Sequence, residues 1–373
     1  MIQNSLGLLC IISILVFLSL WLEKKWYLFT KVGPTLLVII FASLFSNFGI
    51  IPTSSTLYDA VFRYIVPLAV VFLLINLNFA HIRVAGKQML LAFTLGCFGT
   101  VIGAIMGYFL VYRSIGQETW KLAGQLIGTY TGGSMNAVAV GKGLNMSPHL
   151  FSASIASDNV TTALWIVATI LIPGCLGRLF LTQKSEKRVG KLNHKTAPSG
   201  WVHFDLIELA KLLSISLGIF VTSELISRYI RSIPSILWVT TFAIIGGQIR
   251  MLRPKLNSFD LGVFVLLFFF ATLGAMSDLI KIIRVGPIIF IFTLLIVGIH
   301  GVIIFGFGKM LHLDLDVLCV ASQACIGGPS TAMALASSKK WDYLILPGIM
   351  AGILGYGIGN YLGFGVAYLF SSI

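Results

Sequence analysis

Long apolar runs separated by short polar connections leave this chain very few ways to fold. Twelve such segments fall at approximately 6–22, 32–51, 60–80, 88–112, 121–142, 150–181, 205–228, 234–250, 260–280, 286–309, 315–338 and 344–370. A helix that crosses a bilayer needs about 20 predominantly apolar residues. A chain built almost wholly of such runs has no polar face with which to fold in water. Only 10% of its residues are charged, against about 25% in soluble chains. The expectation is an all-α integral membrane protein whose constant partner is the lipid bilayer. The net charge of +13 does not point to nucleic acid, because the basic residues stand singly or in pairs between apolar runs. That is where loops meet anionic headgroups. The five cysteines, Cys10, Cys97, Cys175, Cys319 and Cys325, lie in or beside apolar runs without a CxxC spacing. They read as packing thiols rather than disulfides or metal ligands.

Two segments are broken in the same manner. Thr131-Gly132-Gly133-Ser134-Met135-Asn136 interrupts the fifth, and Gly327-Gly328-Pro329-Ser330-Thr331 interrupts the eleventh, 195 residues later from Gly133 to Gly328. Glycine costs a helix interior about 1 kcal/mol against alanine, and Ser and Asn compete for backbone hydrogen bonds. Proline removes an N–H and clashes with the preceding turn. Irregular backbone at membrane depth survives only inside protein or beside a water-filled cavity. Paired interrupted segments at corresponding places in two halves point to the binding site of a secondary transporter. The glycines let a ligand approach the main chain. The short helix after each break presents free N–H groups and a positive dipole end, which suits a carboxylate. Thr131, Gly132, Gly133, Ser134, Asn136, Gly327, Gly328, Pro329, Ser330 and Thr331 are therefore the candidate substrate-binding residues. The competing reading is that these glycines serve only close helix packing.

The long polar connection 182–204 divides the chain into a first half, 1–181, and a second half, 205–373. The first run, Leu6 to Leu22, is followed rather than preceded by basic residues, the wrong polarity for a signal peptide. It reads as a retained helix with its N-terminus outside. Basic residues then choose between topologies. With 182–204 cytoplasmic and all twelve segments crossing, Lys and Arg in the loops divide 13 inside to 12 outside. If segments five and eleven are re-entrant hairpins, the division becomes 17 to 8. The positive-inside rule prefers the second arrangement. It leaves two inverted repeats, each of about five transmembrane helices plus a Gly-rich re-entrant hairpin or broken helix.

Among polar residues inside the runs, Asp158 is the most informative. It is flanked by Ser157 and Asn159 and followed by Thr161 and Thr162. A carboxylate at that depth costs about 2.5–3.5 kcal/mol on insertion scales, so it must face an ion, a proton path or polar partners. Asp158, Asn159, Asn360 and Asn76 are the candidate cation-binding residues, with Na⁺ at Asp158 as one option. Asn76 reads equally as a helix-end cap. His300 reads as a packed neutral histidine or as a proton relay. Glu208 and Lys211 are spaced to pair at the interface.

Gly-Thr-Tyr-Thr-Gly-Gly-Ser-Met-Asn (128–136), Ala-Ser-Asp-Asn (156–159) and Gly-Gly-Pro-Ser-Thr-Ala-Met-Ala (327–334) resemble the YjcL-like family, bacterial and plant membrane proteins of unknown function. In layout that family is similar to sodium:glutamate symporters and hydroxycarboxylate transporters. The likeness implies an elevator-type transporter, with a scaffold of 1–58 and 205–258 and a transport core of 59–181 and 259–373. It also implies a homodimer. The hairpin text differs from theirs, so their substrates do not transfer.

The leading expectation is cation-coupled symport, by Na⁺ or H⁺, of a small carboxylate-bearing solute such as an amino acid or short peptide. A bacterial inner membrane is the expected location, and no cofactor beyond the coupling ion is implied. A monovalent cation/proton antiporter is the alternative. A structural or channel-like role and an intramembrane enzyme are more distant alternatives: the paired breaks argue against a plain scaffold, Ser134 lacks an evident base, and neither an HExxH nor a GxxxxGK[ST] motif occurs.

Overall fold

The structure is a computed structural model that describes residues 4–26, 29, 33–77, 84–177, 180, 205–230 and 233–371. The connection 182–204 lies outside the described residues. The described chain is all helical. In order the helices are α1 (Ser5–Lys25), α2 (Pro34–Asn47), α3 (Thr56–Leu74), α4 (Gly86–Ile115), α5 (Thr119–Gly132), α6 (Met135–Gly143), α7 (Pro148–Leu176), α8 (Leu206–Tyr229), α9 (Ser235–Gln248), α10 (Ser258–Ala275), α11 (Leu279–Met310), α12 (Leu315–Ile326), α13 (Gly328–Ser338) and α14 (Asp342–Ser371).

Among the described residues, 8 helices are long and apolar enough to cross a membrane: α1, α3, α4, α7, α8, α10, α11 and α14. Their outward surfaces carry large apolar side chains such as Phe17, Phe109, Leu171 and Val302. The re-entrant arrangement implies ten crossings. The other two, segments two and eight, form helices α2 and α9 of only 14 residues each. Their apolar runs include turns that are not helical. Gly33 at φ 76° opens α2 and Gly49 at φ 74° follows it, while Ile249 after α9 is extended.

Segments five and eleven do not run straight through. The Lys121 ammonium, in the first turns of α5, donates to the carbonyl of Asn145, just beyond α6, at 2.9 Å. A continuous helix would hold those residues about 36 Å apart. Between the two arms, the Asn136 amide reaches the Gly128 carbonyl at 3.2 Å. α12 and α13 close the same way. The Thr331 hydroxyl donates to the Gln323 carbonyl at 3.0 Å, and Tyr343, beyond α13, donates to Asp316 at the start of α12. Each broken segment is thus a helical hairpin whose ends meet.

Contacts at the helix ends are reciprocal between the halves. The Asn47 amide closing α2 donates to the Ser277 carbonyl beyond α10 at 3.0 Å. The Gln248 amide closing α9 donates to the Leu77 carbonyl beyond α3 at 2.9 Å. α3 and α10 pack on each other and on these two short helices, with α1 and α8 outside them. The remaining helices, α4–α7 and α11–α14, pack as a second group. Its centre is the α4–α11 pair, in which Gly99 and Gly103 lie so close to His300 and Ile296 that a Cβ would stand 2.9 Å or less from their backbone.

Candidate functional site

The two hairpins meet tip to tip. Gly133 (φ +103°) and Gly328 (φ +80°) sit in the left-handed region that other residues avoid. A Cβ on Gly133 would come 3.2 Å from Gly328 Cα, and one on Gly328 would come 2.8 Å from the Gly132 carbonyl. α14 lies across both tips. Its glycines 348, 352, 355, 359 and 363 follow helical spacing and form one stripe. Gly348 faces Val320 and Ala332, and Gly352 faces Pro329. Gly355 faces Thr131 and Gly132, Gly359 faces Asn136 and Gly128, and Gly363 faces Gly124. The Asn136 amide also donates to the Gly355 carbonyl at 3.0 Å.

Beside the first tip lies a buried polar cluster. Asp158, 1% exposed, accepts from the Ser134 hydroxyl at 2.6 Å and from Thr162 at 3.0 Å. The buried Tyr130 side chain faces Asp158, Thr161 and Thr293, with its hydroxyl outside ordinary hydrogen-bond geometry to any of them. The Thr161 and Thr293 hydroxyls lie 2.7 Å apart. One carboxylate, four nearby hydroxyl-bearing side chains and a phenol form an oxygen-rich set of the kind that hard cations take as ligands. No group of three or more His, Cys, Asp or Glu suited to a metal ion occurs among the described residues.

The other candidates are distributed differently. Thr131 donates to the Ile127 carbonyl of its own helix at 2.7 Å. Thr331 braces the second tip, Ser330 is exposed, and Gly327 accommodates the Thr331 side chain. Neither α6 nor α13 has a side chain capping its N-terminus. Asn159 donates along its own helix to Ile155 at 3.0 Å. Asn360, 1% exposed, donates to Thr240 on α9 at 3.1 Å and leaves its carbonyl oxygen unpartnered. It shares a cavity of about 10 Å³, roughly one water, with Met135, Asn136 and Tyr356. Asn76 ties the end of α3 to Ser258 and Leu256 at the start of α10. None of these three asparagines bonds to the Asp158 cluster.

Nothing local in the sequence ties His300 to this centre. His300 is fully buried, with Nδ1 2.9 Å from the Gly96 carbonyl and Nε2 2.9 Å from the Ser322 hydroxyl. A carbonyl can only accept, so Nδ1 carries the proton. Ser322 accepts from the Trp165 indole at 2.8 Å and donates its own hydrogen to Nε2. Thr100, 3.2 Å from Nδ1, donates to the Tyr130 carbonyl at 2.9 Å. This chain of hydrogen bonds runs from the second hairpin through α11 and α4 to the first. It supports the packed neutral histidine.

Fold and surface together define a polytopic α-helical integral membrane protein. The chain belongs to the family described as protein of unknown function (DUF819), whose model matches residues 10–373. It is 30% identical over 379 residues to the uncharacterized membrane protein YjcL of Bacillus subtilis (strain 168), covering 97% of this chain and 96% of that protein.

Proposed function

We propose that the protein is a cation-coupled secondary transporter that moves a small carboxylate-bearing solute, such as an amino acid or short peptide, by symport. One observation carries this reading: two positive-φ glycine tips meet backbone to backbone, and the serine of one tip is hydrogen-bonded to a buried carboxylate. That bond links tip position to the ionic state of Asp158. A Na⁺ or proton at Asp158 replaces or reorients the Ser134 hydroxyl, and the tip responds. Separation of the tips bares the uncapped starts of α6 and α13, where N–H groups and the helix dipole receive the solute carboxylate. Cation and solute then stabilise a state that neither favours alone, a coupling of typically about 1–3 kcal/mol.

The reciprocal contacts of Asn47 and Gln248 support two inverted repeats with re-entrant hairpins. The packing of α4–α7 with α11–α14 supports an elevator core made of those helices. On this reading α3 and α10 side with the scaffold rather than with the core. The homodimer, the inner-membrane location and a cytoplasmic 182–204 connection belong to the same proposal. A cation/proton antiporter is the second reading, favoured by the closed tip contact, which leaves no room for a solute between Gly133 and Gly328 in this state.

The test is thermal stability of the purified protein in detergent, with Na⁺ crossed against K⁺ and several pH values, then a panel of amino acids, dipeptides and dicarboxylates. A ligand at 100 times its Kd stabilises by about 2.7 kcal/mol. A shift that needs both a cation and one solute class supports symport. A shift with cation or pH alone, and none with any solute, replaces it with the antiporter.

A further inference from the structure

A second polar site lies away from the hairpin tips, at one end of the bundle. Arg63 and Tyr64 on α3 face Phe220, Val221, Glu224, Leu225 and Arg228 on α8 across a cavity of about 190 Å³. The helix that carries Arg63 is distorted there. Val61–Ile65 forms a π-helical turn, a feature that often marks functional positions. Pro67 has no N–H to offer the carbonyl of Arg63, four residues before it. That carbonyl instead lies 3.5 Å from the ammonium of Lys142, at the end of α6. Lys142 is also within electrostatic reach of Glu224. Arg63, Arg228 and Glu224 therefore share one mouth, with Lys142 beside it.

Neither Arg63 nor Arg228 forms an ion pair among the described residues, although Glu224 is one helical turn from Arg228. The Arg63 guanidinium lies 5.5 Å from the centre of the Tyr64 ring, which packs edge-on against Phe220. The walls are apolar and open: Val221 is 54% exposed and Leu225 49%. Two unpaired guanidiniums beside an aromatic ring, above exposed aliphatic side chains on a membrane helix, match a ligand with an anionic phosphate at its head and hydrocarbon beneath it. We propose that this cavity holds the phosphodiester headgroup of an anionic phospholipid. Arg63 and Arg228 bind the phosphate, and Val221 and Leu225 line the upper acyl chain. The occupant would bridge α3 to α8.

Native mass spectrometry of the full chain tests this directly. The protein is released from micelles containing phosphatidylglycerol or phosphatidylcholine of the same acyl chains, and from the phosphatidylglycerol micelles with millimolar inorganic phosphate added. Wild type should retain phosphatidylglycerol in preference to phosphatidylcholine. An Arg63→Ala/Arg228→Ala variant should lose that preference by on the order of thirty-fold, from about 1 kcal/mol per basic residue at an anionic surface. Glu224→Gln, which removes the counter-charge, should retain more phosphatidylglycerol than wild type, and it remains informative if the double variant fails to fold. Equal retention of both lipids by wild type would overturn the proposal. So would an unchanged preference in the double variant, or no gain in Glu224→Gln. Displacement of phosphatidylglycerol by millimolar inorganic phosphate would overturn the lipid assignment in favour of a soluble phosphate.

Discussion

Two glycines ten residues apart on α14 allow the stripe to be weighed against ordinary helix propensity. At Gly365 nothing lies within 4 Å of a built Cβ. At Gly355 a Cβ would stand 2.4 Å from the Thr131 carbonyl oxygen and 2.5 Å from Gly132 Cα. Both neighbours are backbone, which no rotamer change can clear. Restoring an ordinary separation of 3.4 Å moves α14 and the first hairpin apart by about 1 Å. That movement stretches the Asn136–Gly355 hydrogen bond beyond its useful range. Both substitutions to alanine gain about 1 kcal/mol of helix propensity. Gly355→Ala adds overpacking of about 1–3 kcal/mol and a lost buried hydrogen bond worth about 1 kcal/mol. Gly365→Ala should therefore melt at or above wild type. Gly355→Ala should melt below it, with a net loss of about 1–3 kcal/mol relative to wild type. Thermal unfolding in detergent, followed by a thiol-reactive dye in a Cys10→Ser/Cys175→Ser background, reads both variants, because Cys97, Cys319 and Cys325 are buried and label only on opening, whereas Cys10 and Cys175 are exposed. If the two alanines melt alike, the contact between α14 and the hairpin does not support the tips.

Other outcomes are expected from the same geometry. Asp158→Asn should abolish coupled uptake in proteoliposomes and the cation-dependent rise in melting temperature, while the protein without added cation stays folded; uptake at the wild-type rate would remove Asp158 from the cation site. Ser322→Ala strands the Trp165 indole and His300 Nε2 together and should cost about 2–4 kcal/mol. Ser152→Ala should cost no more than about 1 kcal/mol, since Ser277 keeps the Leu273 and Pro148 carbonyls; equal losses in chemical denaturation would refute the His300 network. Gly133→Ala and Gly86→Ala both place a side chain at positive φ, at about 1–2 kcal/mol, but only Gly133 abuts the opposite tip. Only Gly133→Ala should blunt a solute-dependent stability shift.

Much of this architecture can be read from local text, because membrane helices write themselves as uninterrupted apolar runs. The hairpins could be inferred from where Lys and Arg fall, and contacts such as Lys121 to Asn145 agree with that inference. Asp158 stood out because a lone carboxylate in an apolar run needs a reason. Its partners were harder to see. Tyr130 and Thr293 come from other helices, and a side chain with one polar atom gives no local sign of where it points. Asn159 is adjacent in sequence but turned about 100° around the helix, so it serves its own backbone. Asn76, readable equally as a cation ligand or a helix-end cap, ties the end of α3 to the start of α10, and Asn360 joins the body of α14 to α9, so neither bonds to the Asp158 cluster. The α14 stripe was legible as spacing, yet spacing alone does not say that both hairpins share it. The short helices α2 and α9 were hidden because hydropathy does not distinguish a helical residue from an apolar turn.

Those two short helices bear on the membrane itself. Fourteen residues of α-helix extend only about 21 Å, some 9 Å less than a typical hydrocarbon core of about 30 Å. Lipid against them must thin, or water must reach down to their ends, at a cost of fractions of a kcal/mol per Å of mismatch. Where lipid lies against α2 and α9, the permeability barrier is therefore narrower than the bilayer at large. If the protein moves a solute as proposed, one carried past them has less distance to travel before it meets water on the far side.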